Sequence, residues 1–111
     1  MAALIMHKDG AYNIYGTIAD GPHFESALTL EQLTEVIGQE FGESGLRELP
    51  GRLERAHRTG CSHIAGWTLE DCIAGNRAGP NETSMSYEDF VARYLTLAPN
   101  AQGNKPPTTG D

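Results

Sequence analysis

The chain has no long apolar run, few basic residues and only two cysteines, and each shortage removes a class of function. No stretch approaches the ~20 apolar residues that span a bilayer. The opening MAALIMHKDG holds five apolar residues after its methionine before His7 and Lys8 interrupt, too few for the core of a secretory signal. Eight basic side chains against 15 acidic ones give a net charge of −7. That sign disfavours an anionic membrane surface or non-specific nucleic-acid binding, so a nucleic-acid partner is not expected. With no export signal, Cys61 and Cys72 are expected as free thiols in a reducing cytoplasm. The Asn81-Glu82-Thr83 sequon then reads only as a polar loop. Paired C-x2-C knuckles and a phosphate-cradling glycine loop ahead of a helix are also missing, as is any catalytic signature.

What is present describes one modest α+β domain. The 111 residues leave room for a single core, and the last stretch, PNAQGNKPPTTGD, has one alanine as its only apolar side chain. Such a segment buries too little surface to offset the entropy of ordering it. Composition therefore predicts a folded unit over 1–98 and a disordered tail over 99–111.

Tyr12 to Ile18 alternates Tyr12, Ile14 and Ile18 against Asn13 and Thr17, the two-residue period of a half-buried strand. Ala19-Asp20-Gly21-Pro22 reads as a turn, with Phe24, Ser26 and Leu28 on a second strand and Leu4 to Met6 as a short edge. Two or three strands need helices to lie on. About four are predicted. Thr29-Leu30-Glu31-Gln32 is a capping box, followed by Leu33, Ile37 and Phe41 at helical spacing and a stop at Gly42. Pro50 is placed in the first turn of a second helix running to about Thr59. Thr68 and Ser86 cap two more, the last carrying the apolar stripe Tyr87, Phe90, Val91, Tyr94 and Leu95.

Two constellations could carry chemistry. His57, Cys61, His63 and Cys72 supply two imidazoles and two thiols, the donors of a tetrahedral zinc site. Their spacing fits no zinc pattern, and Cys72 falls on the inward stripe of its helix, where a free cysteine is an ordinary core residue. Cys61 as a nucleophile, with His57 or His63 as base, lacks an orienting acid. The second constellation is Arg47, Arg52, Arg55 and Arg58, half of the basic residues within twelve positions. Guanidinium groups bind carboxylates and phosphates through paired hydrogen bonds, so these arginines are candidates for contacting a partner. The competing reading is an exposed helix face laced by Glu48–Arg52 and Glu54–Arg58 pairs. The acidic run Glu31, Glu35, Glu40 and Glu43 reads as a solvated face beside it.

Three stretches, YNIYGTIADGPHFESALTLEQL at 12–33, ELPGRLERAHRTGCS at 48–62 and LEDCIAGNRAGP at 69–80, carry a resemblance. Together they resemble small uncharacterised proteins encoded in integrative and other mobile elements of proteobacteria. The resemblance implies a bacterial cytoplasmic setting and an accessory role, and it assigns no activity, cofactor or site residue. The sequence thus points to a non-enzymatic protein-interaction or regulatory module. A zinc domain and a nucleic-acid contact through the arginine helix are the alternatives.

Overall fold

The computed structural model describes residues 3–97; the expected tail at 99–111 lies outside the described residues. The order is β1 (Ala3–Lys8), β2 (Ala11–Gly16), β3 (Gly21–Pro22), α1 (Leu30–Thr59), α2 (Leu69–Ile73) and α3 (Tyr87–Tyr94), with a short 3-10 turn at Pro80–Glu82. The strands make one antiparallel sheet in the order β1-β2-β3. The α+β class is as expected, but among the described residues the helices number three rather than about four.

The hairpin differs from the expected one. β2 pairs with β1 along six residue pairs, from Ala3↔Gly16 to Lys8↔Ala11. Asp9 and Gly10 both take left-handed backbone angles, φ 50° and 83°. Such a two-residue turn has the twist that antiparallel strands require, and it closes the hairpin before residue 12. The expected partner at 24–28 contributes only an isolated bridge between Tyr12 and Leu28, while β3 forms within the expected turn and pairs with Tyr15 and Gly16. A further bridge, Met6↔Cys61, lays the segment after α1 along the outer edge of β1. Both edges of the hairpin are thereby covered, which removes open hydrogen-bonding groups that would recruit other strands.

Sandwiching explains a second correction. Ala3, Ile5, Tyr12 and Ile14 pack with Leu33, Ile37, Leu49 and Ala56 of α1. On the opposite face Met6 and Tyr15 meet Cys61, α2 and the Phe90/Tyr94 stripe of α3. Both faces of β2 are therefore buried, Asn13 included at 0% exposure, while Ile18 lies beyond the strand at 86%. The alternation that predicts a wet face at Asn13 is overridden by helices on both sides.

The helix caps form as the sequence dictates. Thr29 Oγ accepts from the Gln32 N–H at 3.1 Å and Gln32 Oε1 accepts from the Thr29 N–H at 2.9 Å. Thr68 and Asp71 repeat the reciprocal pair, and Ser86 Oγ accepts from the Asp89 N–H. Gly42, however, does not end a helix. At φ 65°, ψ −154° it kinks α1 in a conformation essentially confined to glycine, and the chain resumes as helix on the other side. Pro50 consequently sits inside the second arm rather than in its first turn. Burial of Leu49, Arg52 and Ala56 holds that arm on the sheet despite the lost main-chain donor. Gly60 closes α1 with φ 99°, and its N–H returns to the Ala56 carbonyl. Among the described residues, no helix is long and apolar enough to cross a membrane.

Candidate functional site

The second arm of α1 carries Arg47, Gly51 and Arg55 at i, i+4 and i+8, so they share one face of the helix. Opposite that face stand the start of β1 and the segment following Cys61, held in place by the bridge between Met6 and Cys61. Between them runs an open groove of about 640 Å³. Arg47, Arg52, Arg55 and His63 line it, with Glu48 as the only carboxylate among the described residues there and Leu4 and Ile64 as apolar margins. Gly51 adds no side chain between Arg47 and Arg55, which keeps the groove open there. Three of the four predicted arginines thus meet at one site. Arg58 is exposed and lies outside the groove lining.

The three arginines are not equivalent. Arg52 is buried, and its Nη2 donates to the Ala3 carbonyl at 2.8 Å, fastening α1 to β1. Burial lowers its affinity for its proton; Glu48 opposes that effect and Arg55 adds to it. Arg55 is half-buried and donates from Nε to the Ser62 carbonyl at 2.8 Å, which leaves its two Nη groups to address the groove. Arg47 is exposed. The expected Glu54–Arg58 pair is not formed among the described residues, whereas Glu48 does act electrostatically on Arg52.

The opposing wall is a tight loop. His63 stacks on Trp67 with ring centroids 3.8 Å apart and planes 9° from parallel. His63 Nδ1 accepts from the Ala65 N–H at 3.0 Å, and the Thr59 hydroxyl donates to the Trp67 carbonyl at 2.6 Å. These contacts hold Ile64 outward at 83% exposure. Ser62, His63 and Ile64 enter the site only through long-range pairing with β1, so local patterning gives no sign of them. The apolar run Leu4-Ile5-Met6 is the local trace of the Met6↔Cys61 bridge that builds this wall.

Comparison with family models, with curated proteins and with solved structures returns no match. The site is therefore read from its own geometry.

The four residues of the zinc reading do not gather at one point. Cys61 and Cys72 lie in the core on the α2/α3 face of the sheet. His57 is on the α1 face, where its Nε2 pairs with the Tyr12 hydroxyl at 2.6 Å, and His63 is committed to Trp67. The sheet stands between His57 and the thiols. Among the described residues no three His, Cys, Asp or Glu side chains come together in a group that could hold a metal ion.

A histidine pair that sequence reading overlooked sits beside the hairpin turn. His7 and His57 meet edge to face, with ring centroids 4.6 Å apart. His7 Nε2 accepts from the Gly10 N–H at 3.0 Å, an interaction available only to the neutral ring. Burial and the neighbouring His57 hold His7 below its ordinary value of 6.5, with Asp9 opposing. In the acid window just below 6.5 the unfolded chain therefore binds more protons than the folded one. Stability contributed by neutral His7 is then lost as the pH falls. Thermal melts from about pH 7.5 down to about pH 5.5 should show a declining midpoint that is shallower in His7→Gln. Equal slopes for the two proteins would show that His7 is not responsible.

Proposed function

We propose that this chain is a non-enzymatic interaction module whose arginine groove receives an acidic segment of a partner protein. One observation carries the reading: Arg47, Arg52 and Arg55 border a single groove, with His63 on its opposite wall, in a chain whose overall charge is −7. A concentration of cationic donors against an acidic background attracts carboxylates locally while repelling extended polyanions. Apolar Leu4 and Ile64 at the margins add contact area for flanking side chains. A bacterial cytoplasmic setting and an accessory role in a mobile element, as the resemblance implies, are consistent with such a module.

Fluorescence anisotropy with a labelled glutamate-rich peptide tests the reading. Arg47→Ser with Arg55→Ser is expected to weaken binding by roughly tenfold or more, since two charge-assisted contacts are lost. The melting temperature should fall only modestly, through loss of the Arg55 Nε to Ser62 carbonyl bond, because Arg47 is exposed and Arg55 only half-buried. Arg52→Ser serves as the contrast. Its loss leaves the Ala3 carbonyl without its donor inside the fold and should lower the melting temperature visibly. Peptide affinity should also fall as salt is raised from about 50 to about 200 mM. Tighter binding of an oligonucleotide than of the peptide at the same salt would replace this reading with a nucleic-acid contact.

A further inference from the structure

Cys61 and Cys72 arrive at one point from two directions. The segment at 60–62 is fixed along β1 by the His7 N–H to Gly60 carbonyl and Ser62 N–H to Ile5 carbonyl bonds, at 3.1 and 3.0 Å. Gly60 also bridges Thr68, the residue that caps α2. One turn along α2, the Cys72 N–H bonds back to the Thr68 carbonyl at 3.0 Å, which sets Cys72 above the bridged pair. The two side chains meet in the core and hydrogen-bond to each other. Both are free thiols.

We propose that Cys61 and Cys72 are a reversible dithiol–disulfide pair, oxidised by a small peroxide. Their roles differ. The Cys72 thiol donates to Cys61 sulfur and favours its thiolate most, burial opposes that, the His63 backbone N–H adds to it, and Asp71 opposes it, with the balance towards the thiolate. The hydrogen bond to Cys61 and burial keep the Cys72 proton on sulfur. Cys61 is therefore the attacking sulfur and Cys72 the resolving one. In the first step the Cys61 thiolate attacks one peroxide oxygen, the O–O bond breaks, and the departing hydroxide takes a proton to leave as water. The resulting sulfenic acid is attacked by Cys72, which gives up its proton as the S–S bond forms and a second water departs. Two thiols lose two electrons in total and one peroxide gains them. Cys61 and Cys72 are 0% and 4% exposed, so peroxide must enter by opening of α2, a helix of five residues bordered by the exposed 64–68 stretch.

The test uses the purified full chain with hydrogen peroxide, read by intact mass and peptide mapping. A loss of about two mass units, a Cys61–Cys72 linked peptide and recovery with dithiothreitol are the expected results. In Cys72→Ser the sulfenic acid on Cys61 should persist and be trapped by dimedone, while Cys72 in Cys61→Ser should stay unreacted. Two thiols per chain still available for alkylation after unfolding, cross-links formed only between chains, or Cys61 over-oxidised with no intramolecular bond would each overturn the proposal. The wild-type result decides this even where a serine variant folds poorly.

Discussion

Phe90→Ala is expected to lower stability by about 3–5 kcal/mol, read as a shift in the denaturant midpoint. Phe90 is 0% exposed and is packed against Tyr94 at 5.0 Å and Tyr15 at 6.4 Å between ring centroids. It is the contact through which α3 closes the second face of the sheet, in the cluster that also holds Met6, Leu69 and Ile73. Truncation removes the ring from that cluster and leaves a cavity whose walls, a β-strand and two capped helices, cannot close over it freely. Against the 5–15 kcal/mol typical of a small domain, a loss of that size is a large share of the total. A loss below about 1 kcal/mol would show that α3 is not an essential half of the core.

Asn13 should prove nearly as costly, for a different reason. Its Nδ2 donates to the Phe24 and Tyr94 carbonyls, each at 3.0 Å, and its Oδ1 accepts from the Ile14 and Phe24 N–H groups at 2.8 and 3.3 Å. One fully buried amide thus ties β2 to the 24–28 segment and to the end of α3. Asn13→Ala strands those carbonyls away from water and is expected to cost about 3 kcal/mol in chemical denaturation. Asn13→Asp keeps the shape but turns an oxygen toward two carbonyl oxygens. Burial and that opposition raise the carboxyl's folded-state value above its unfolded one. The Asp variant's deficit should therefore deepen as the pH rises above about 4. A pH-independent deficit would mean that the site admits water.

These two residues also mark where sequence reading succeeds and where it stops. Phe90 belongs to a stripe at i, i+3, i+4, i+7, and a capped amphipathic helix is encoded locally, so α3 and its inward face are legible. The three hydroxyl caps at Thr29, Thr68 and Ser86 are legible for the same reason: each bond spans three residues. Asn13 is illegible because its partners lie 11 and 81 positions away. The β1–β2 hairpin is an intermediate case. Its Asp9-Gly10 turn is a strong local signal, but the longer alternation after Tyr12 draws the pairing toward 24–28 instead. Gly42 has the right chemistry for a helix stop, yet continued burial beyond it turns the stop into a kink.

The candidate site divides in the same way. A cluster of arginines on one helix can be seen in the sequence, and Arg47, Arg52 and Arg55 do border one groove, but Arg58, expected with them, lies outside it. That Arg52 is buried, and so a fastening between α1 and β1, depends on how α1 lies against β1. The zinc set divides differently. Closeness along the chain predicts a cluster, whereas Cys61 enters a sheet edge and faces α2 and His57 remains on the helix over the other face.

The groove is tested most directly by an NMR titration of the isotope-labelled chain with the glutamate-rich peptide at low salt. The expected result is a compact set of shifting amides at Gly51, Ser62, His63 and Ile64, together with the Arg55 Nε–H signal, saturating at one peptide per chain. Saturable shifts centred on α3 or on the 76–85 loop, with those five signals unmoved, would contradict the assignment of the arginine groove as the contact surface.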